Sequence, residues 1–411
     1  MNITIARLFK SKLTFLYEQI LPGIAVPSLS DGKSNLLNVI RWMAALTVLI
    51  GHTELYSRFI YDDATVKANF IYYYLTLHAH IAVVVFFVLS GYLVGYATYR
   101  KLIIKRNDSF SCEVPLKAST YNFAEYFLDR WSRIYSVLLF AIVFTLVLDS
   151  IGASLSSNYL KAELIPQDHE ILRLLINIFS LQGVQGYRVQ LGSNPALWSI
   201  GYEFCYYMLF GLIIFKRNIF RRNITFVLSF VIISLLLGPN MMNYFIIWFL
   251  GFIVFLMFHQ VGIKLPPLFI LPLFLALLIV NHFTVYNNIF GLSYFLQDLL
   301  FSLFVCLILL CESNNKLSGK YLVLFNKNMA DFSYSIYSFH LPIIFMYYSI
   351  IAPKHHFEQF MYESILLIFI CIVTAKILFY ASEHQRPRFK AALKMLFQFI
   401  KLNKKDCAVL E

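Results

Sequence analysis

The chain has 411 residues, of which 59% are hydrophobic, 18% aromatic and only 14% charged, with a formal net charge of +12. That balance excludes a water-soluble globular core. The basic residues fall in short runs between apolar segments rather than in one stripe, which excludes a nucleic-acid surface. The six cysteines have neither paired nor metal-ligand spacing, so neither a disulfide framework nor a metal site is expected.

Residues 1–36 carry Arg7, Lys10 and Lys12 among Leu8, Phe9, Leu13, Phe15 and Leu16, without an uninterrupted apolar core or a small-residue cleavage site. They read as an amphipathic segment lying on the inner leaflet, not a cleavable signal peptide. Ten apolar runs follow, at 37–56, 78–98, 133–151, 196–215, 222–238, 241–258, 266–284, 291–311, 331–351 and 363–381. A helix of about 18 to 22 such residues crosses roughly 30 Å of hydrocarbon. Residues 171–183, with Arg173, read as an amphipathic piece that dips into the interface or forms a short eleventh element. With the N-terminus inside, roughly 26 Lys and Arg lie on the cytoplasmic side and roughly 6 outside, so the orientation is determined. The expectation is an all-α, polytopic integral membrane protein of about ten transmembrane helices with both termini cytoplasmic. Its parts are an interfacial segment (1–36), a transmembrane domain (37–381) and a basic cytoplasmic tail (382–411).

An ionisable side chain at mid-bilayer costs about 2.5 to 3.5 kcal/mol on insertion scales, so each needs a partner, a cavity or a function. In RWMAALTVLIGH, Arg41 and His52 are eleven positions apart. Eleven helical steps of about 100° return to within about 20° of the same face after a rise of roughly 16 Å. Both are expected in one interior groove, with a cation near the cytoplasmic end and an imidazole deeper; a snorkelling Arg and a packed His are the alternative. In FFVLSGYLVGY, Ser90 and Gly91 interrupt an apolar helix and allow another helix or a ligand to approach closely. DRWSRIY puts Arg130 and Arg133 at i, i+3, suited either to a polyphosphate or to positive-inside anchoring.

Farther along, PALWSIGYEF opens a helix at Pro195, with Ser199 and Glu203 one turn apart. Glu203 can pair with a cation, orient an imidazole or accept a hydroxyl proton, and Trp198 is an interfacial anchor or a sugar-stacking platform. SYSIYSFHLPI places Tyr334, Tyr337 and His340 around one side of a helix that Pro342 is expected to kink. Lys376 lies close enough to the inner end to snorkel and reads as structural.

These motifs, RWMAALTVLIGH, FFVLSGYL, RWSRIY, LWSIGYEF, SYSIYSFHLP and SEHQRPRF, occur in that order across residues 35–390 and resemble the acyltransferase 3 family. The resemblance implies roughly ten transmembrane helices in a bacterial inner membrane, an acyl-CoA co-substrate such as acetyl-CoA with no bound cofactor, and a hydroxyl of an exported glycan or lipid-linked saccharide as acceptor. By motif matching, His52 is the expected catalytic histidine and Arg41 its partner, with Ser90, Arg133, Glu203, Tyr337 and His340 as members of the family's blocks. Ser136 and Ser338 depart from the proline and leucine common at those places. With no esterase-like extension after the tenth helix, the single-domain branch is the better match.

Together these readings give a mechanism. Arg130 and Arg133, with Arg41 as a further candidate, are expected to bind the donor's phosphates, His52 to act as general base or form a transient acyl-histidine, and Glu203 to orient the sugar or its proton transfer. Ser90, Trp198, Ser199, Tyr334, Tyr337 and His340 line the site. The competing classes are a transporter or flippase for a lipid-linked glycan and a non-catalytic subunit of a polysaccharide synthesis complex.

Overall fold

The computed structural model describes residues 28–57, 78–108, 121–155, 170–187, 189–220, 222–281, 293–313, 319–350 and 357–407. Most of the expected N-terminal amphipathic segment, and much of the loops after the second and third helices, lie outside the described residues. The described residues are all-helical apart from two isolated bridges. In chain order the helices of nine residues or more are α1 (Asp31–Ser57), α2 (Ala79–Asp108), α3 (Phe123–Leu155), α4 (Glu170–Ile178), α5 (Leu197–Ile214), α6 (Asn223–Leu237), α7 (Pro239–Leu256), α8 (Ile270–Asn281), α9 (Tyr294–Leu310), α10 (Lys320–Asp331), α11 (Ser333–Ile350), α12 (Phe357–Ala381) and α13 (Arg386–Cys407).

Among the described residues, six stretches are long and apolar enough to cross a membrane: Asp31–Thr53, Ala79–Leu102, Phe123–Leu155, Leu197–Ile214, Pro239–Val261 and Tyr362–Gln398, and three shorter apolar helices accompany them. Each of the ten apolar runs contains a helix. The ninth run's helix, α11, is too polar to qualify by composition because it carries Ser333, Ser335, Ser338, Tyr334, Tyr337 and His340. It is nonetheless enclosed, packed among α1, α3 and α12, with Tyr337, Ser338, Phe339, His340 and Leu341 all buried in sequence. Its polar groups meet protein rather than lipid, which is how such a helix is tolerated at membrane depth. Pro342 sits inside α11, which runs unbroken from Ser333 to Ile350.

Glycine decides how α2 meets α7. A Cβ built on Gly91 would lie 1.9 Å from the Trp248 carbonyl oxygen, and one on Gly251 would lie 1.8 Å from that of Val88. Two backbones therefore touch reciprocally, a contact only residues without a side chain permit. The closeness sets Ser90 and Trp248 side by side, with Trp248 Nε1 donating to Ser90 Oγ at 3.1 Å.

The tail helix α13 lies against α3. Buried Asp129 of α3 accepts from the ammonium groups of Lys101 and Lys390 and from the Tyr121 hydroxyl. Arg386 donates to the Asp129 backbone carbonyl at 3.0 Å, and Phe389 stacks on Trp131 at 5.7 Å. Removing the carboxylate strands two ammonium groups. In an Asp129→Ala protein, backbone amides over 386–398 are expected to exchange about tenfold faster or more while those of α7 do not change; equal rates would show that the clamp contributes nothing.

Candidate active site

A cavity of about 420 Å³ runs through the helix bundle, within the range of small-molecule sites. One face of α2 forms much of its wall, from Val83 through Phe87, Ser90 and Val94 to Lys101. The rest comes from Arg41 of α1, Arg130 and Arg133 of α3, Ser199 and Glu203 of α5, Tyr334 and Tyr337 of α11, and Arg386 of α13.

One end is basic. Lys101, Arg130, Arg133, Arg41 and Arg386 all border the same space. Arg130 is 5% exposed, and its Nε lacks a hydrogen-bond partner. Its guanidinium lies 5.5 Å from the Tyr126 ring centroid and 5.7 Å from that of Tyr207. Glu383 sits within electrostatic reach of Arg133, Arg41 and Arg386 and accepts from Ser335 Oγ at 3.2 Å. So dense a group of cations around a cavity favours an anionic ligand, and guanidinium groups match phosphate geometry.

Midway, Glu203 Oε1 accepts from Ser90 Oγ at 2.6 Å and from Tyr207 OH at 2.5 Å. Both bonds fall on one oxygen, so Oε2 is the atom suited to a further donor. Tyr337 OH pairs with Ser199 Oγ at 2.6 Å and reaches the Ala196 carbonyl at 3.2 Å.

Beyond Tyr337 lies a histidine pair. His52 Nδ1 and His340 Nε2 are 2.6 Å apart, with the rings stacked at 4.9 Å and 11°. His340 Nδ1 is 3.0 Å from the Ile336 carbonyl, which can only accept. In the neutral pair the protons are thereby assigned: His340 carries its proton on Nδ1, its Nε2 accepts from His52 Nδ1–H, and His52 Nε2 keeps a free lone pair. The arrangement orients an imidazole as a carboxylate does in a catalytic triad, with a second imidazole and a backbone carbonyl as the supports.

Of the residues singled out in the sequence, Arg41, Ser90, Arg130, Arg133, Ser199, Glu203, Tyr334 and Tyr337 border one cavity. His52 and His340 do not border it. Arg41 and His52 face inward as their spacing requires, but the groove expected to join them is interrupted: the Tyr337 ring lies 6.1 Å from His340 and 5.9 Å from Phe86, as a partition between cavity and imidazoles. Trp198 also stands behind the wall, 6.3 Å from Phe87 and 4.9 Å from Tyr202. Lys376 rests on aromatic faces, 4.4 Å from the Phe332 centroid, consistent with a structural residue. The sequence reading missed Lys101, Tyr207, Glu383 and Arg386. The last two belong to SEHQRPRF, whose own unusual charge alternation was the available signal; Tyr207 lies one turn past Glu203, and only the fold brings Lys101 inward.

No curated protein and no solved structure matches the chain. An acyltransferase domain, that of acyltransferase 3, matches residues 35–382, a span that holds every cavity-lining residue just described except Arg386 and, at the other edge, Leu29. The chain is therefore a member of the acyltransferase 3 family, a multi-pass membrane acyltransferase.

Proposed function

We propose that this enzyme moves an acyl group, acetyl in the simplest case, from cytoplasmic acyl-CoA to a hydroxyl of a glycan made for export, in a bacterial inner membrane with both termini cytoplasmic. The observation that carries the reading is the cavity itself, which joins a cluster of arginines to a carboxylate and ends one ring short of an oriented imidazole. Positive-inside bias puts the arginine end in the cytoplasm, where acyl-CoA is. Arg130, Arg133 and Arg386 hold its phosphates, Arg41 and Lys101 add charge, and the thioester arm extends toward Tyr337. Rotation of the Tyr337 ring opens the way to His52.

At His52, Nε2 is the reacting nitrogen by either route. As general base it takes the acceptor's hydroxyl proton while that oxygen attacks the thioester carbonyl and the thiolate leaves. As nucleophile it attacks first, expels the thiolate and yields an acyl-imidazole that the hydroxyl then cleaves. Glu203, fixed by Ser90 and Tyr207, orients the hydroxyl through Oε2. Ser199 and Tyr334 shape the passage, and Trp198 supports its outer wall.

Radiolabelled acetyl-CoA supplied to inverted membrane vesicles tests the reading. Label is expected in the glycan fraction, and an Arg130→Ala/Arg133→Ala protein is expected to raise the donor KM by about tenfold or more, each lost charge-assisted contact being worth about 1.5 to 3 kcal/mol. Glycan movement without donor consumption would identify a flippase instead. Unchanged donor KM in the double variant would remove these arginines from the donor site.

A further inference from the structure

The face of α2 that lines the cavity continues one turn past its last lining residue. His80, Val83, Phe87, Ser90, Val94 and Lys101 recur at intervals of three, four or seven, and all but His80 border the cavity. At 1.5 Å per residue, His80 and Lys101 stand about 32 Å apart along the helix, close to the hydrocarbon thickness of a bilayer. The stripe that begins with a donor-end lysine therefore ends, one turn beyond the cavity's last lining residue on α2, with a histidine.

That histidine is built into a polar site. His80 Nε2 lies 2.9 Å from Asp298 Oδ1 and 3.0 Å from Oδ2. Tyr244 OH donates to Oδ2 at 2.6 Å. The Asp298 side chain is 2% exposed while that of His80 is 52% exposed. Since a carboxylate only accepts, His80 donates from Nε2, and in the neutral ring Nδ1 is the acceptor, on a side chain about half exposed. Tyr244 also packs 5.8 Å from Phe87, the cavity's wall at this end, and 6.5 Å from Trp198. A buried acid, an imidazole with an available lone pair and a bank of aromatic rings thus converge where the cavity stops.

We propose that His80, Asp298, Tyr244 and Trp198 form the acceptor subsite at the outer mouth, and that it takes an uncharged polyhydroxy ligand, a sugar ring. Sugars offer hydroxyls to hydrogen-bonding groups and apolar faces to aromatic rings. The carboxylate discriminates against phosphate, so an anionic lipid headgroup is not the ligand. The proposal rests on the glycan-acylation reading above and extends it by naming residues for the acceptor.

The test uses the full chain in lipid nanodiscs, open to both faces, with radiolabelled acetyl-CoA and, as acceptor, oligosaccharide released from the surface glycan of a strain deleted for this gene. His80→Ala, at a half-exposed position, and Asp298→Asn are each expected to raise the acceptor KM about tenfold or more while donor binding stays within about twofold of wild type. Unchanged acceptor KM in His80→Ala overturns the subsite and leaves the glycan reading intact. Parallel loss of donor binding in both variants also overturns it, since that marks a structural role. A wild-type protein that consumes donor but never labels the oligosaccharide overturns the glycan reading, and the subsite with it.

Discussion

A His52→Ala protein that inserts and folds is expected to lose acyl transfer by about a thousandfold or more, with donor KM nearly unchanged. General base or nucleophilic catalysis by a positioned imidazole is worth roughly 10² to 10⁴ in rate, and His52 is the imidazole that His340 orients behind Tyr337. In the proposed arrangement the arginines that hold the donor's phosphates lie at the far end, about 16 Å away by the rise of α1, so donor binding is expected to survive. His340 gives a graded companion. Replacing it with Phe removes the acceptor for His52 Nδ1–H and releases the ring's tautomer, lowering kcat by about ten- to a hundredfold with KM preserved. Replacing it with Gln restores an acceptor and part of the rate. Vesicle assays with radiolabelled acetyl-CoA separate the outcomes, and full activity in His52→Ala would end the mechanism.

The second large effect is structural. Gly91→Val is expected to leave little assembled protein, because the new Cβ would start 1.9 Å from a backbone oxygen of α7 and no rotamer relieves a clash with backbone. Separating α2 from α7 also pulls Ser90 away from Trp248 and disturbs the bond to Glu203. Gly319→Ala is the control: a Cβ there meets nothing within 4 Å, and Ala suits its φ of −58°. Detergent-extracted yield and thermal unfolding should separate the two variants by far more than experimental scatter. Equal yields would mean that the helices part without consequence.

Much of this architecture was legible because lipid imposes few solutions. A run of apolar residues long enough to span the hydrocarbon has to be helical, since every backbone group must be satisfied within it. Local spacing also located residues on faces: the interval from Arg41 to His52 correctly turned both inward. It could not reveal Tyr337 lying across the path, because that obstruction comes from α11. Pairings across long separations were equally invisible. Asp298 is 218 positions from His80, and in sequence it is only one acid near the start of an apolar helix. The tail read only as a basic cytoplasmic segment, and nothing local indicated that Asp129 would draw it back onto α3 and bring Arg386 to the cavity.

The enclosure of α11 bears on how the protein is made. His52 and His340 are 288 positions apart, so α1 is synthesised and inserted long before the helix that completes its polar face. Through that interval Arg41 and His52 have to be sheltered by water, by the insertion machinery or by provisional neighbours, as unpartnered polar and charged groups at membrane depth are costly. The pairing of α1 with α11 is thus a late step of assembly, completed when only α12 and α13 remain to be added. Chains halted before Ser333 present an unfinished polar face to the bilayer, a natural mark by which quality control can tell incomplete protein from complete.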